Sequence, residues 1–159
     1  MKPDQHDLII SWQSFHQHCR ELAQQLSQLG AFKGIIAVTR GGLVPAAIVA
    51  SELDIRMIDT YCLSSYAEKK QTRINCLKPT SVAGNGSNWL IIDDLADSGK
   101  TSQYIKAQLP ESHLATVYVK PQGKPWVNSF VNEVSQQTWI HLPWEQHKEI
   151  QDSVEPKKS

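Results

Sequence analysis

The sequence predicts an α/β domain with a mostly parallel central sheet flanked by helices. Three observations predict it. Short apolar, β-rich runs alternate with segments of helical periodicity, the pattern of a parallel sheet covered on both faces. Three of those runs end abruptly in polar residues able to carry chemistry, as the carboxyl ends of strands in open sheets do. The length, 159 residues, suits one domain over residues 1–159, and such a chain buries about 70% of its extended surface on folding.

The first helix is read from Phe15, Cys19, Leu22, Leu26 and Leu29, whose spacing puts them on one stripe. Ser11 or Ser14 can cap its start and Gly30 can end it. Gly34–Val38 is too short for a helix and rich in β-branched residues, so it reads as a buried strand, with Thr39-Arg40-Gly41-Gly42 as the tight loop after it. Leu43–Leu53 reads as a helix; Pro45 is tolerated in its first turn, where N–H groups lack intrahelical partners. A second strand is expected over Ile55–Leu63.

Residues 64–88 are polar and nearly free of periodicity, which predicts a mobile functional loop or an extended hairpin. Trp89–Ile92 reads as a strand entering Asp93-Asp94-Leu95-Ala96-Asp97-Ser98-Gly99-Lys100-Thr101, followed by a helix that stops at Pro110. Ala115–Val119 is another strand, ending at Lys120-Pro121. Trp12, Trp89, Trp126 and Trp144 are assigned to the core, and residues 146–159, polar and charged, to a flexible tail.

Composition removes several function classes. Sixteen Lys and Arg balance sixteen Asp and Glu, so the chain lacks the electrostatic footprint of a general nucleic-acid binder. Three cysteines without a CxxC pair argue against a disulfide framework or a structural zinc site and point to a reducing cytoplasm. His16, His18 and Cys19 are close in sequence, but positions 16 and 18 fall on different sides of a helix. No apolar run approaches the ~18 residues of a membrane span, and the first residues do not resemble a signal peptide.

The chemistry concentrates in WLIIDDLADSGKTS. Backbone N–H groups of Ser98, Gly99, Lys100 and Thr101 can converge at the positive end of a helix, with hydroxyls from Ser98 and Thr101, to form a cradle for a phosphate monoester. The acids upstream would repel a phosphate and need other work: Asp93 and Asp94 can take ribose hydroxyls or a hydrated Mg²⁺. A P-loop would need glycine where Asp94 stands, and no G-x-G-x-x-G follows the first strand, so NTPase and dinucleotide-binding readings fail.

The apolar strand followed by Asp-Asp-x-x-Asp-Ser-Gly-Lys-Thr resembles the phosphoribosyl pyrophosphate motif of the type I phosphoribosyltransferases. VTRGGLVP, Ser65-Tyr66, Lys120-Pro121 and TWIHLPWE extend the likeness to bacterial oxopurine-specific members over about residues 8 to 145. The resemblance implies that family's fold, with a mobile catalytic loop over about 64–88 and a small C-terminal base-binding hood over about 120–145. It implies Mg²⁺-dependent purine salvage: transfer of 5-phosphoribosyl from phosphoribosyl pyrophosphate to guanine or xanthine, and more weakly to hypoxanthine. A non-catalytic sensor of purine nucleotides or phosphoribosyl pyrophosphate on the same fold is the rival reading.

The same resemblance assigns roles. The donor would be held by Arg40, by Gly41, by the run Asp93, Asp94, Leu95, Ala96, Asp97, Ser98, Gly99, Lys100 and Thr101, and by a loop cation. That cation is Arg73, with Lys69 and Lys70 as alternatives. Asp94 would carry the metal, the Thr39–Arg40 peptide would be cis, and Arg40 would face the pyrophosphate. Asp97 would take the purine N7 edge and Lys120 the 6-oxo group, so that adenine is refused, its amine opposing an ammonium donor to donor. Trp139 would stack on the base and the Ile140 carbonyl would accept from the 2-amino group of guanine. His141 stands where the family frequently has an acid and can help neutralise a xanthine anion. Homodimers or homotetramers, and peripheral association with the inner face of the inner membrane, are implied by resemblance alone.

Overall fold

The computed structural model describes residues 6–145, so the tail expected over 146–159 lies outside the described residues. In chain order the elements are β1 (Asp7–Ile9), α1 (Trp12–Ser27), β2 (Gly34–Thr39), α2 (Leu43–Leu53), β3 (Ile58–Glu68), β4 (Gln71–Lys78), β5 (Trp89–Ala96) and α3 (Lys100–Gln108). They continue with β6 (His113–Val119), a 3-10 turn at Lys124–Trp126, β7 (Ser129–Glu133) and β8 (Trp139–His141). The main sheet runs β4-β3-β2-β5-β6-β7. All its pairings are parallel except the β3–β4 hairpin, as the α/β prediction requires.

Two apolar layers sandwich this sheet. On one face Phe15, Cys19, Leu22 and Leu26 of α1 and Ala46 and Val49 of α2 meet Ile35, Ala37, Leu90, Ile92, Ala115 and Val117. On the other, Ile105 and Leu109 at α3 meet Ile36, Val38, Tyr61, Trp89, Ile91 and Leu114. Burial on both sides is why the central strands read as continuous apolar runs. Ser11 caps α1, its Oγ accepting from the Ser14 N–H at 3.1 Å. That helix closes at Ser27 with Gln28 as its C-cap, so Leu29 falls beyond the stripe and is exposed, and Gly30 lies outside the cap.

Other expectations need correction. β3 starts at Ile58 rather than Ile55 and runs five residues past Leu63. The polar stretch from residue 64 resolves into the hairpin alternative: the outer half of β3 pairs with β4 from Ser64↔Asn75 to Glu68↔Gln71. Its turn is Lys69-Lys70, both at positive φ, 44° and 70°. Two such residues between antiparallel strands match a type I′ turn, which sequence usually signals as Asn-Gly. Residues 120–145 divide between sheets: β7 extends the main sheet beside β6, while β8 pairs in parallel with the N-terminal β1. Trp89 is buried and Trp144 packs edge-on to Phe15 at 5.0 Å, but Trp12 and Trp126 are 49% and 41% exposed and do not belong to the core.

The segment returning from the hairpin is pinned by one carboxylate. Asp59 accepts from the Thr80 hydroxyl at 2.7 Å, Lys78 Nζ at 3.1 Å and the backbone N–H groups of Thr60 and Ser81. Burial pushes its pKa up, yet these four donors outweigh that and bring it down to about 2. A carboxyl depressed in the fold stabilises it above the unfolded pKa near 4 and loses that contribution as pH falls toward 2. Asp59→Asn should therefore lower Tm at pH 7, and the gap from the parent should close between about pH 4 and 2 in thermal scans.

Candidate functional site

Three chemistry-bearing loops meet because β2, β5 and β6 are adjacent and parallel, so their carboxyl ends share one edge of the sheet. β2 delivers Thr39-Arg40-Gly41-Gly42, β5 the acidic run, and β6 Lys120. The Thr39–Arg40 peptide is cis. Arg40 is exposed. After it the chain turns against β5 so tightly that a Cβ at Gly41 would strike the Asp94 carboxylate. At Gly42 a Cβ would lie 2.6 Å from the Val38 carbonyl oxygen. Both positions need glycine for close approach, not for φ.

Asp93 and Asp94 end the buried part of β5 and are half-buried. Asp93 Oδ1 accepts from the Asp94 N–H at 2.8 Å, and Asp94 Oδ1 from the Leu95 N–H at 2.7 Å. Burial raises the pKa of both, and for Asp93 the neighbouring Asp94 charge adds to it. Two crowded carboxylates with oxygens to spare form a hard donor set that fits Mg²⁺, an ion that is bound by one or two carboxylates and keeps places for water and substrate. Among the described residues no three His, Cys, Asp or Glu side chains gather into a protein-only cage.

Beyond the acids the chain turns into α3 through Gly99, whose φ is +84°. Trp126 packs over this glycine, its Cδ1 2.7 Å from where a Cβ would stand. Ser98, Gly99, Lys100 and Thr101 form the mouth of α3 and, with Leu95, Ala96 and Asp97, line a cleft of about 340 Å³. Ser65, Thr72 and Ile74, from one face of the β3–β4 hairpin, close its other side. The mouth of α3 thus opens on a cavity and is not a packed turn.

The third cluster sits at Lys120. Its ammonium is nearly buried and lies 3.1 Å from Asp97 Oδ2, while Asp97 Oδ1 accepts from Gln136 Nε2 at 2.8 Å. Lys120 is set in place by its own N–H, which donates to the Ala96 carbonyl at 2.9 Å. A buried donor and a carboxylate acceptor therefore stand side by side, and Asp97 also lines the cleft.

The remaining sequence-assigned residues lie on the hairpin and on β8. Arg73 occupies the hairpin face opposite the cleft-lining residues and pairs with Glu68 at 3.1 Å, and Lys69 and Lys70 form the tip. Trp139 and Ile140 lie on β8, Trp139 exposed and Ile140 buried. His141 faces Asp7 of β1 at 3.6 Å. Sequence reasoning missed Gln136, Trp126 and the pair Thr72 and Ile74. None has a local motif, and only the pairing of β3 with β4 would have placed Thr72 and Ile74.

The raised acid pair has a measurable signature. A carboxyl whose pKa is raised on folding destabilises the fold as pH climbs past the unfolded value. Asp93→Asn keeps an oxygen for the Asp94 N–H and removes the charge. Its Tm at pH 7 should exceed the parent's by about 2–4 °C for each kcal/mol relieved, with the gain vanishing near pH 4, read by thermal scans in metal-free buffer.

A family model described as the phosphoribosyl transferase domain matches residues 7–148. A xanthine-guanine phosphoribosyltransferase of Nitratidesulfovibrio vulgaris is 50% identical over 136 residues, covering 86% of this chain and 83% of the relative. One from Desulfotalea psychrophila is 53% identical over 137 residues, covering 86% and 84%. Among solved structures, the xanthine-guanine-hypoxanthine phosphoribosyltransferase of Helicobacter pylori superposes with a TM-score of 0.78 at 20% identity, over 94% of this chain and 100% of that one. A purine phosphoribosyltransferase from Pyrococcus horikoshii gives 0.75 at 24% identity, over 87% and 94%. The two structures speak to the fold; the family match and the two sequence relatives, together with the acid pair, cradle and Lys120 gathered at one sheet edge, establish that this chain belongs to the phosphoribosyltransferase family.

Proposed function

We propose that this chain is a purine-salvage enzyme that moves 5-phosphoribosyl from phosphoribosyl pyrophosphate to guanine or xanthine, and more weakly to hypoxanthine. The observation that carries the reading is the pairing of Lys120 with Asp97 at 3.1 Å beside the α3 mouth. The N7 and 6-oxo edge of an oxopurine offers a donor and an acceptor next to each other; Asp97 meets the first and Lys120 the second. Adenine would set its amine against the ammonium.

The 5′-phosphate sits in the cradle of Ser98–Thr101, where backbone N–H groups and the α3 dipole favour an anion. Arg40 and the N–H of Gly41 hold the pyrophosphate. The C1–O bond to pyrophosphate breaks as the C1–N bond to the base forms, with inversion and an oxocarbenium-like transition state. Asp97 accepts a hydrogen bond or the proton at N7 as the base becomes nucleophilic, and Arg40 stabilises the charge left on the departing group. Asp94, with Asp93 beside it, would hold Mg²⁺, which would supply further neutralisation of that charge. Trp139 covers the base, and the Ile140 carbonyl accepts from the 2-amino group of guanine. The hairpin closes the cleft against water and brings its tip, Lys69 or Lys70, to the pyrophosphate; Arg73 reaches it by leaving Glu68 and turning from the opposite face.

In this reading the chain acts in the cytoplasm as a homodimer or homotetramer. No helix among the described residues is long and apolar enough to cross a membrane.

Incubation with phosphoribosyl pyrophosphate, Mg²⁺ and guanine should give GMP, followed by absorbance; binding without turnover would mark a sensor instead. Asp97→Asn should lower kcat by about 10²–10⁴, while Thr101→Val should act chiefly by raising the KM for the phosphoribosyl donor. Competition among guanine, xanthine and hypoxanthine at equal concentration reads the base preference.

A further inference from the structure

We infer that Gln136 is the positioning residue for Asp97: its amide fixes the plane of the carboxylate that meets the purine. The inference rests on the role proposed for Asp97 and extends it to a residue in the β7–β8 connection. Both ends of the Gln136 side chain are committed. Nε2 donates to Asp97 Oδ1 at 2.8 Å, and Oε1 accepts from the Gln122 N–H at 3.0 Å. The reversed amide would set an oxygen against a carboxylate and an NH₂ against an N–H, so only one orientation satisfies both partners.

These contacts close a ring. Asp97 is held by Gln136 on Oδ1 and by Lys120 on Oδ2; Gln136 is held by Gln122, two residues after Lys120. With one partner on each oxygen the carboxylate cannot swing about its terminal bond, yet a carboxylate has about four acceptor directions, so some remain for a base. Gln136 is itself presented by a fixed turn. The Thr138 N–H donates to the Ser135 carbonyl at 3.1 Å, and the two hydroxyls bond to each other at 2.7 Å. That turn leads directly into Trp139 at the start of β8. The segment that presents the stacking tryptophan therefore also orients the carboxylate.

The test is a double-mutant cycle in the full chain, reading kcat, the KM values for guanine and phosphoribosyl pyrophosphate, and Tm. Gln136→Met should lower kcat by about tenfold to a hundredfold, the weight of one hydrogen bond to a charged group, with the KM for phosphoribosyl pyrophosphate unchanged. Gln136→Glu keeps the acceptor for Gln122 but opposes Asp97 with a like charge, and should be at least as slow. In an Asp97→Asn background the Gln136→Met change should cost almost nothing. Parental kcat in Gln136→Glu would mean that Gln136 only anchors the loop at Gln122, and would overturn the proposal. Slow Asp97→Asn beside parental Gln136→Met would overturn it while leaving the role of Asp97 intact. Full kcat in Asp97→Asn would overturn both. Should Gln136→Met fail to fold by its Tm, Gln136→Glu, with the loop contact kept, carries the comparison.

Discussion

The site depends on how closely the backbone after β2 approaches the end of β5. With no side chain at Gly41 or Gly42, that loop lies directly on the Asp94 carboxylate and on the carbonyls of Ile92 and Val38. Any Cβ there would push the loop off the strand end and separate Arg40 and its loop from Asp93 and Asp94. The close approach is possible because β2 and β5 are paired in register, from Gly34↔Trp89 to Ala37↔Ile92, and buried on both faces. Thus the hydrophobic sandwich sets a polar distance at its rim.

The rim works against the stability of the fold. Asp93 and Asp94 are crowded together where water is partly excluded, and their raised pKa values record that the ionised pair is unfavourable there. A few residues on, the opposite solution holds: Asp97 has a buried ammonium on one oxygen and an amide on the other. Two kinds of carboxylate therefore sit in one turn of sequence. The first kind makes no salt bridge among the described residues, and the second has its cation built in.

Much of this was legible in the sequence, for identifiable reasons. α2 spans Leu43–Leu53 as read, because a largely apolar run, unbroken from Leu43 to Ala50, is bounded by Gly42 before it and Asp54 in the left-handed region after it. The strands that carry function were visible because burial on both faces leaves unbroken apolar runs ending in polar loops. β1, β7 and β8 were not, since they are three to five residues long and owe their extension to partners distant in sequence. Arg73 was recognised as a cation of the loop, but which side of the arm it occupies depends on the register of β3 against β4, and the structure puts it away from the cleft. Gln136 was invisible. A glutamine in a polar connection carries no period and no motif, and its meaning comes only from Asp97 and Gln122 lying on either side of it.

Lys69 and Lys70 both adopt the left-handed backbone region, which costs an L-residue with a Cβ roughly 1–2 kcal/mol each. Asn-Gly would relieve most of that conformational penalty and stiffen the arm. Instead two positive charges are carried on a bend that disfavours them, so the arm is less rigid than its length allows and more attractive to a polyanion. A swap to Asn-Gly would trade two positive charges at the tip for order in the free protein.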